Sequence, residues 1–176
     1  MNTLDDIDAH IQIQQALARY CRGLDRGDPD MILSAYHPGA MDRGRVGHPD
    51  GPVEALVPWV IAKLDLPRTV PQHHVTNILV QRNGDVAHVE SYFLLFRPQT
   101  NPDSGDDELV RAGGRYLDRF ERRNGKWLIA ERRVILDWSQ RAIGSSQMDR
   151  GGRLPLPGRR ERDPSWEFLS AGTKHE

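Results

Sequence analysis

Two adjacent histidines, His73 and His74, sit in the stretch Val70-Pro-Gln-His-His-Val-Thr-Asn-Ile-Leu-Val80, which has the composition of a β-strand. Strand side chains alternate between faces, so the pattern puts His73, Val75, Asn77 and Leu79 on one face and His74, Thr76, Ile78 and Val80 on the other. One imidazole must then face inward. A neutral imidazole in a half-polar interior moves protons near neutral pH, provided another group orients it. The competing fate is a core histidine bonded only to backbone. Asp25 is the orienting group the sequence offers, at the end of Tyr20-Cys-Arg-Gly-Leu-Asp25, a corner from which a helix packed across a sheet can aim a carboxylate at a strand. An aspartate in Asp-Arg-Gly-Asp also commonly caps the next helix or bonds turn amides.

Other chemistries find less support. His37, Asp42 and His48 invite a metal reading with the histidine pair, but adjacent strand histidines point apart and no Cys-x-x-Cys or His-x-x-x-His accompanies them. No glycine-rich phosphate loop marks a nucleotide site, and Gly144-Ser145-Ser146 lacks the strand-turn-helix setting of a nucleophile. No metal or cofactor is therefore expected. A net charge of -1 and a pI near 6.7 give no electrostatic reason to bind nucleic acid or an anionic membrane. The single cysteine, Cys21, suits a reducing compartment, the acidic N-terminus lacks an apolar leader, and no apolar run approaches the ~18 residues of a membrane helix. A cytoplasmic protein with a small ligand is the expectation.

The elements that would position these residues follow from periodicity. Thr3 and Asp6 open a helix through Ile7, Ile11, Leu17, Ala18, Cys21 and Leu24, expected to end near Gly23. Asp28-Pro29 starts a short second helix, which His37-Pro38-Gly39 ends; Ala40 to His48 reads as a short strand or a loop. After Pro52, the stripe Val53, Leu56, Val57, Val60, Ile61 and Leu64 gives a third helix. The period then changes to two. Asn83-Gly84 and Asn124-Gly125 each join a pair of strands, and Pro98 to Asp107 reads as an exposed loop between the two hairpins. The expected fold class is α+β, with three N-terminal helices packed on a mostly antiparallel sheet of four or more strands. Residues 1–140 form the domain and 141–176 an extended tail, whose Trp166, Phe168 and Leu169 are expected to dock on the same or a neighbouring subunit.

The Tyr-x-x-x-Leu-Asp corner, the Asp-Pro helix start, the Gln-His-His-Val-Thr-Asn strand and the ending Gly-Arg-Tyr-Leu-Asp-Arg-Phe-Glu-Arg-Arg-Asn-Gly-Lys-Trp-Leu-Ile together resemble the SnoaL-like branch of the nuclear transport factor 2-like superfamily. Its members include scytalone dehydratase, lindane dehydrochlorinase and a bile acid 7α-dehydratase. The resemblance covers roughly residues 3 to 138. It implies a cone-shaped α+β barrel, in which the helices close one side of a strongly curved sheet around an apolar pocket, and a cofactor-independent lyase or isomerase. By position, Asp25 would hold His73, the proton-abstracting base, with His74 as the alternative if the register slips by one. Tyr20 would lie near the leaving group. Where relatives carry a further histidine or aspartate on the next strand, this chain has Tyr92, Leu94 and Leu95, so Ser91, Tyr92 or Arg111 would have to substitute.

The implied substrate is small, mostly apolar, and cyclic or polycyclic. Two other functions fit the same fold: a non-catalytic β subunit of a ring-hydroxylating dioxygenase, and a binding protein for an apolar small ligand. Association into a homo-oligomer, a dimer or trimer, is expected, because a curved sheet leaves an apolar convex face that few elements of so short a chain can cover.

Overall fold

The computed structural model describes residues 3–64, 71–101, 103–144 and 158–171. Helix α1 (Leu4–Arg26) starts with a capping box in which the Asp6 amide donates to the Thr3 hydroxyl at 3.2 Å and the Thr3 amide to the Asp6 carboxylate at 2.9 Å. Ala9, Ile13, Ala16, Leu17, Tyr20 and Leu24 form its buried stripe. The helix passes the expected stop at Gly23 and ends three residues later. Gly27, at φ 64°, supplies the left-handed cap, whereas Gly23 serves close packing: a Cβ there would lie 2.6 Å from Ile32. Asp25 is thus held in the last helical turn rather than in a corner beyond the helix.

Asp28 caps α2 (Pro29–Leu33), accepting from the Met31 amide at 3.0 Å. His37 to Gly39 do not end that helix; they belong to β1 (Tyr36–Arg43), which is followed by β2 (Gly51–Pro52), α3 (Val53–Leu64), β3 (Gln72–Asn83), β4 (Val86–Thr100), β5 (Asp107–Arg123) and β6 (Lys126–Ile143). The six strands form one sheet in the order β2-β1-β6-β5-β4-β3. All pairs are antiparallel except β1 with β6. The helices pack on one face of this curved sheet, and the core lies between the two layers.

Two expectations about strand limits change. In the segment Pro98 to Asp107, the loop is confined to the residues between Thr100 and Asp107, and both ends are ladder, since Pro98 pairs with Leu109, Gln99 with Glu108 and Thr100 with Asp107. Proline is tolerated there because β3 stops pairing at Phe96, so beyond it β4 needs no N–H on that side. In β3, the alternation breaks where the register shifts between Thr76 and Leu79, with Asn77 at φ 50°. His73 and Val75 point inward, but after the bulge the inward residues are Ile78 and Val80, and Leu79 is 57% exposed.

Strand β6 continues past the expected boundary at 140. Of the expected extended tail, residues 145–157 and 172–176 lie outside the described residues. A 3-10 turn (Arg160–Arg162) and α4 (Pro164–Ala171) lie between them, and they join the end of α1 through polar groups: Arg26 to Asp163 at 3.2 Å and Arg22 to the Ser165 hydroxyl at 3.1 Å. Of the apolar cluster, Trp166 is half-buried, while Phe168 stays 79% exposed and Leu169 48%.

Candidate functional site

The last turn of α1 and the first residues of β3 meet where β3 begins its pairing with β4. There the Asp25 carboxylate accepts the His73 backbone N–H at 3.1 Å and lies 2.6 Å from His73 Nδ1. An ionised carboxylate can only accept, so the proton of a neutral imidazole sits on Nδ1 and the lone pair on Nε2. Nε2 has no hydrogen-bond partner among the described residues. Both side chains are well shielded, with 10% of His73 and 15% of Asp25 exposed. His74 points the other way, edge-on to Phe96 at 5.8 Å, so the alternation at this point settles which histidine faces inward.

His73 borders a cavity of about 400 Å³ between α3 and the concave face of the sheet. Its apolar wall includes Leu24, Trp59, Phe93, Leu95, Tyr116 and Val134. Four cationic side chains, Arg45, Lys63, Arg97 and Arg141, also line it, and no carboxylate does among the described residues. A separate open groove between α1 and β3, about 480 Å³, reaches Asp25 and His73 from the helix side, past Gln14 and Arg22.

The remaining candidates divide sharply. Tyr20 is fully buried, but it does not line the cavity among the described residues; its hydroxyl accepts from Arg45, and its ring packs edge-on to Tyr36 at 5.8 Å and Tyr116 at 5.7 Å. It reaches the cavity only indirectly, through Arg45 and Tyr116. Ser91 is fully buried on the inner face opposite Tyr116, and its hydroxyl has no partner among the described residues. Tyr92 faces outward at 41% exposure, since it is one residue out of step with Ser91 and Phe93. Arg111 is out of step with Val110 and Ala112 in the same way and points away from the cavity.

The residues weighed as metal ligands have separate partners. His37 Nε2 lies 2.9 Å from the Glu121 carbonyl, Asp42 binds Arg45 and the Tyr36 hydroxyl, and His48 tilts onto Trp59 at 4.9 Å.

Sequence reading missed Tyr116, Arg97 and Arg141. Their signal was alternation within β4, β5 and β6: once His73 is known to pair with Leu95, the inward face of each neighbouring strand follows. Tyr116 is buried at the cavity wall, and its phenol makes no hydrogen bond among the described residues. Burial, with the nearby Tyr20 and Cys21, pushes its pKa well above the ordinary tyrosine value against the pull of Arg132. It therefore stays a neutral donor.

Helices closing one side of a curved antiparallel sheet over a cavity define the cone-shaped α+β fold of the nuclear transport factor 2-like superfamily. The family model described as a SnoaL-like domain matches residues 5–133, and the chain belongs to that family. Among solved structures, it is similar to the hexachlorocyclohexane dehydrochlorinase LinA-type3 from Novosphingobium barchaimii, with 19% identity over 82% of this chain and 97% of that one at a TM-score of 0.67. A putative scytalone dehydratase from Novosphingobium aromaticivorans is 16% identical over 77% of this chain and 89% of that one, TM-score 0.65. A protein of unknown function with a cystatin-like fold from Nostoc punctiforme is 25% identical over 73% and 90%, TM-score 0.56. No curated protein sequence matches the chain.

Proposed function

We propose that this protein is a cofactor-independent lyase or isomerase that acts on a small, mostly apolar, cyclic or polycyclic substrate. The observation that carries this reading is the 2.6 Å contact between Asp25 and His73 Nδ1, which leaves Nε2 as a base beside the cavity. A scaffold subunit has no need of such a pair, and a passive binding protein would be served by a histidine bonded to backbone alone. The dehydrochlorinase and dehydratase names among the structural neighbours point the same way.

In this mechanism His73 Nε2 takes a proton from a carbon activated by a neighbouring carbonyl or leaving group. The C–H electron pair becomes the new double bond, and the leaving group departs with its own pair. Asp25 holds the tautomer and stabilises the imidazolium that forms. Tyr116, rather than Tyr20, is the phenol that borders the cavity and can protonate a departing oxygen.

Proton abstraction can be measured without knowing the natural substrate, as deuterium uptake into a bicyclic ketone such as 2-tetralone in heavy water. His73→Ala should lower the enzyme-dependent rate by about 10²–10⁴-fold, and Asp25→Asn should come close to it. Melting curves should show both variants folded. Uptake that is unchanged in His73→Ala would sink the proposal.

A further inference from the structure

We propose that the ligand of this cavity is a monocarboxylate, and that Arg97 is the residue that recognises its carboxylate. The inference deepens the preceding one, since it concerns the same cavity, but it rests on different side chains.

The cavity wall carries four cations and no carboxylate among the described residues, and the four differ in what they already hold. Arg45 is bonded to Asp42 at 2.6 Å and 3.0 Å. Lys63 stacks over Trp59, 4.3 Å from the ring centroid. Arg141 lies 3.7 Å from Glu108, which is 2% exposed and also accepts from Gln99 and Asn101. Neither Lys63 nor Arg97 has an ion pair or a hydrogen bond among the described residues, but Lys63 is held by the Trp59 ring, whereas the Nε of Arg97 is buried without a partner. A half-buried guanidinium left unpaired has lost water without gaining a counter-charge, so an arriving anion is favoured there more than at a solvated arginine. Burial and the nearby Arg141 both lower its pKa, with only Glu108 opposing, which describes a site short of negative charge.

Register fixes how such a ligand would lie. His73 pairs with Leu95, and Arg97 is two residues further along β4 on the same inward face, about 7 Å away along the strand. Val110 pairs with both Arg97 and Arg141, so the two arginines flank one apolar residue across three strands. A ring system against Phe93 and Leu95 would present its reacting carbon to His73 and its carboxylate to Arg97. At that separation, the carboxylate is a handle remote from the breaking bond. One free guanidinium beside an arginine already shared with Glu108 matches a single charge, not a phosphate dianion.

The probes are 2-naphthoate and its uncharged isostere 2-naphthamide, titrated into the full-length protein and followed by their own fluorescence. Naphthoate should bind wild type roughly tenfold to a hundredfold more tightly than naphthamide, the range expected for a charge-assisted hydrogen bond. Arg97→Gln should remove that preference while leaving naphthamide affinity unchanged, and Arg97→Lys should retain part of it. His73→Ala should still bind naphthoate, so loss of the base and loss of the anion site are read separately. Equal affinities for the two probes on wild type, which needs no variant to fold, would overturn the proposal. So would no naphthoate binding at millimolar concentration, or an undiminished preference in folded Arg97→Gln.

Discussion

Arg132 and Arg97 lie on the inner face of the same sheet, yet they are treated in opposite ways. Arg132 is completely buried, bonded through two nitrogens to Asp118 at 2.7 Å and 2.6 Å, and clasped between the rings of Tyr20 and Tyr116, 4.2 Å and 4.1 Å from their centroids. Burial alone would lower its pKa, but the Asp118 carboxylate holds it well above the ordinary arginine value. Arg97 faces the cavity with no counter-charge of its own among the described residues. The difference separates a charge that maintains the fold from one left open to a ligand. Tyr20 falls on the closed side, which is why a residue expected at the chemistry proves to be part of the core.

The largest expected effect tests this contrast directly. Asp118→Ala leaves Arg132 buried and unpaired, and should destabilise the protein by about 3–5 kcal/mol in denaturant melts. Replacing both partners with apolar residues of similar size should recover much of that loss. Arg97→Gln should stay within about 1 kcal/mol of wild type, because it removes no internal partner. Similar losses for Asp118→Ala and Arg97→Gln would erase the distinction.

Cys21, buried at the floor of the groove between α1 and β3, makes a second, chemical prediction. Burial raises the Cys21 thiol to about 12, with Asp25 and Asp118 adding to the effect against the pull of Arg132 and Arg45. An ordinary cysteine titrates near ~8.5, so its thiolate is more than about a thousandfold scarcer here. Native protein should resist iodoacetamide at mildly alkaline pH, whereas urea-unfolded protein should react at the rate of a free thiol. Rapid alkylation of the folded protein would mean that the groove between α1 and β3 opens onto the thiol.

The contrast also explains what the sequence could and could not reveal. Helix caps, Asn-Gly turns and apolar spacing depend on neighbours in the chain, and they placed three helices and two hairpins in order. The Asp25 and His73 pair was legible through its motif. The inward face of β3 was legible only as far as Val75, because nothing local announces the bulge at Asn77. The fates of Tyr20, Arg97 and Arg132 were hidden, since a tyrosine or arginine on an inward strand or helix face looks the same whether a partner lies opposite or not. Gln99 and Glu108 show the same limit: Gln99 falls in the stretch that reads as a loop, and only strand pairing brings it to Glu108.

Between the closed pair and the open arginine stands a third case, the joint of Arg26 with Asp163, where the tail meets α1 at the edge of solvent. Burial raises the Asp163 pKa, but bonds from the Ser165 hydroxyl and the Gly158 and Ser165 amides, with the charge of Arg26, bring it below the ordinary 3.8. A depressed carboxyl stabilises the docked tail above its unfolded pKa, and that contribution is lost as pH falls through the folded value. The amide resonances of Gly158 and Ser165 should therefore move together below pH 3.8, while those of the sheet hold. Asp163→Asn should abolish this acid transition and leave deuterium uptake into 2-tetralone unchanged, because the residue stands outside the cavity wall. A transition that survives the substitution would show that another group governs the joint. A change in uptake would show that the tail, too, belongs to the open region.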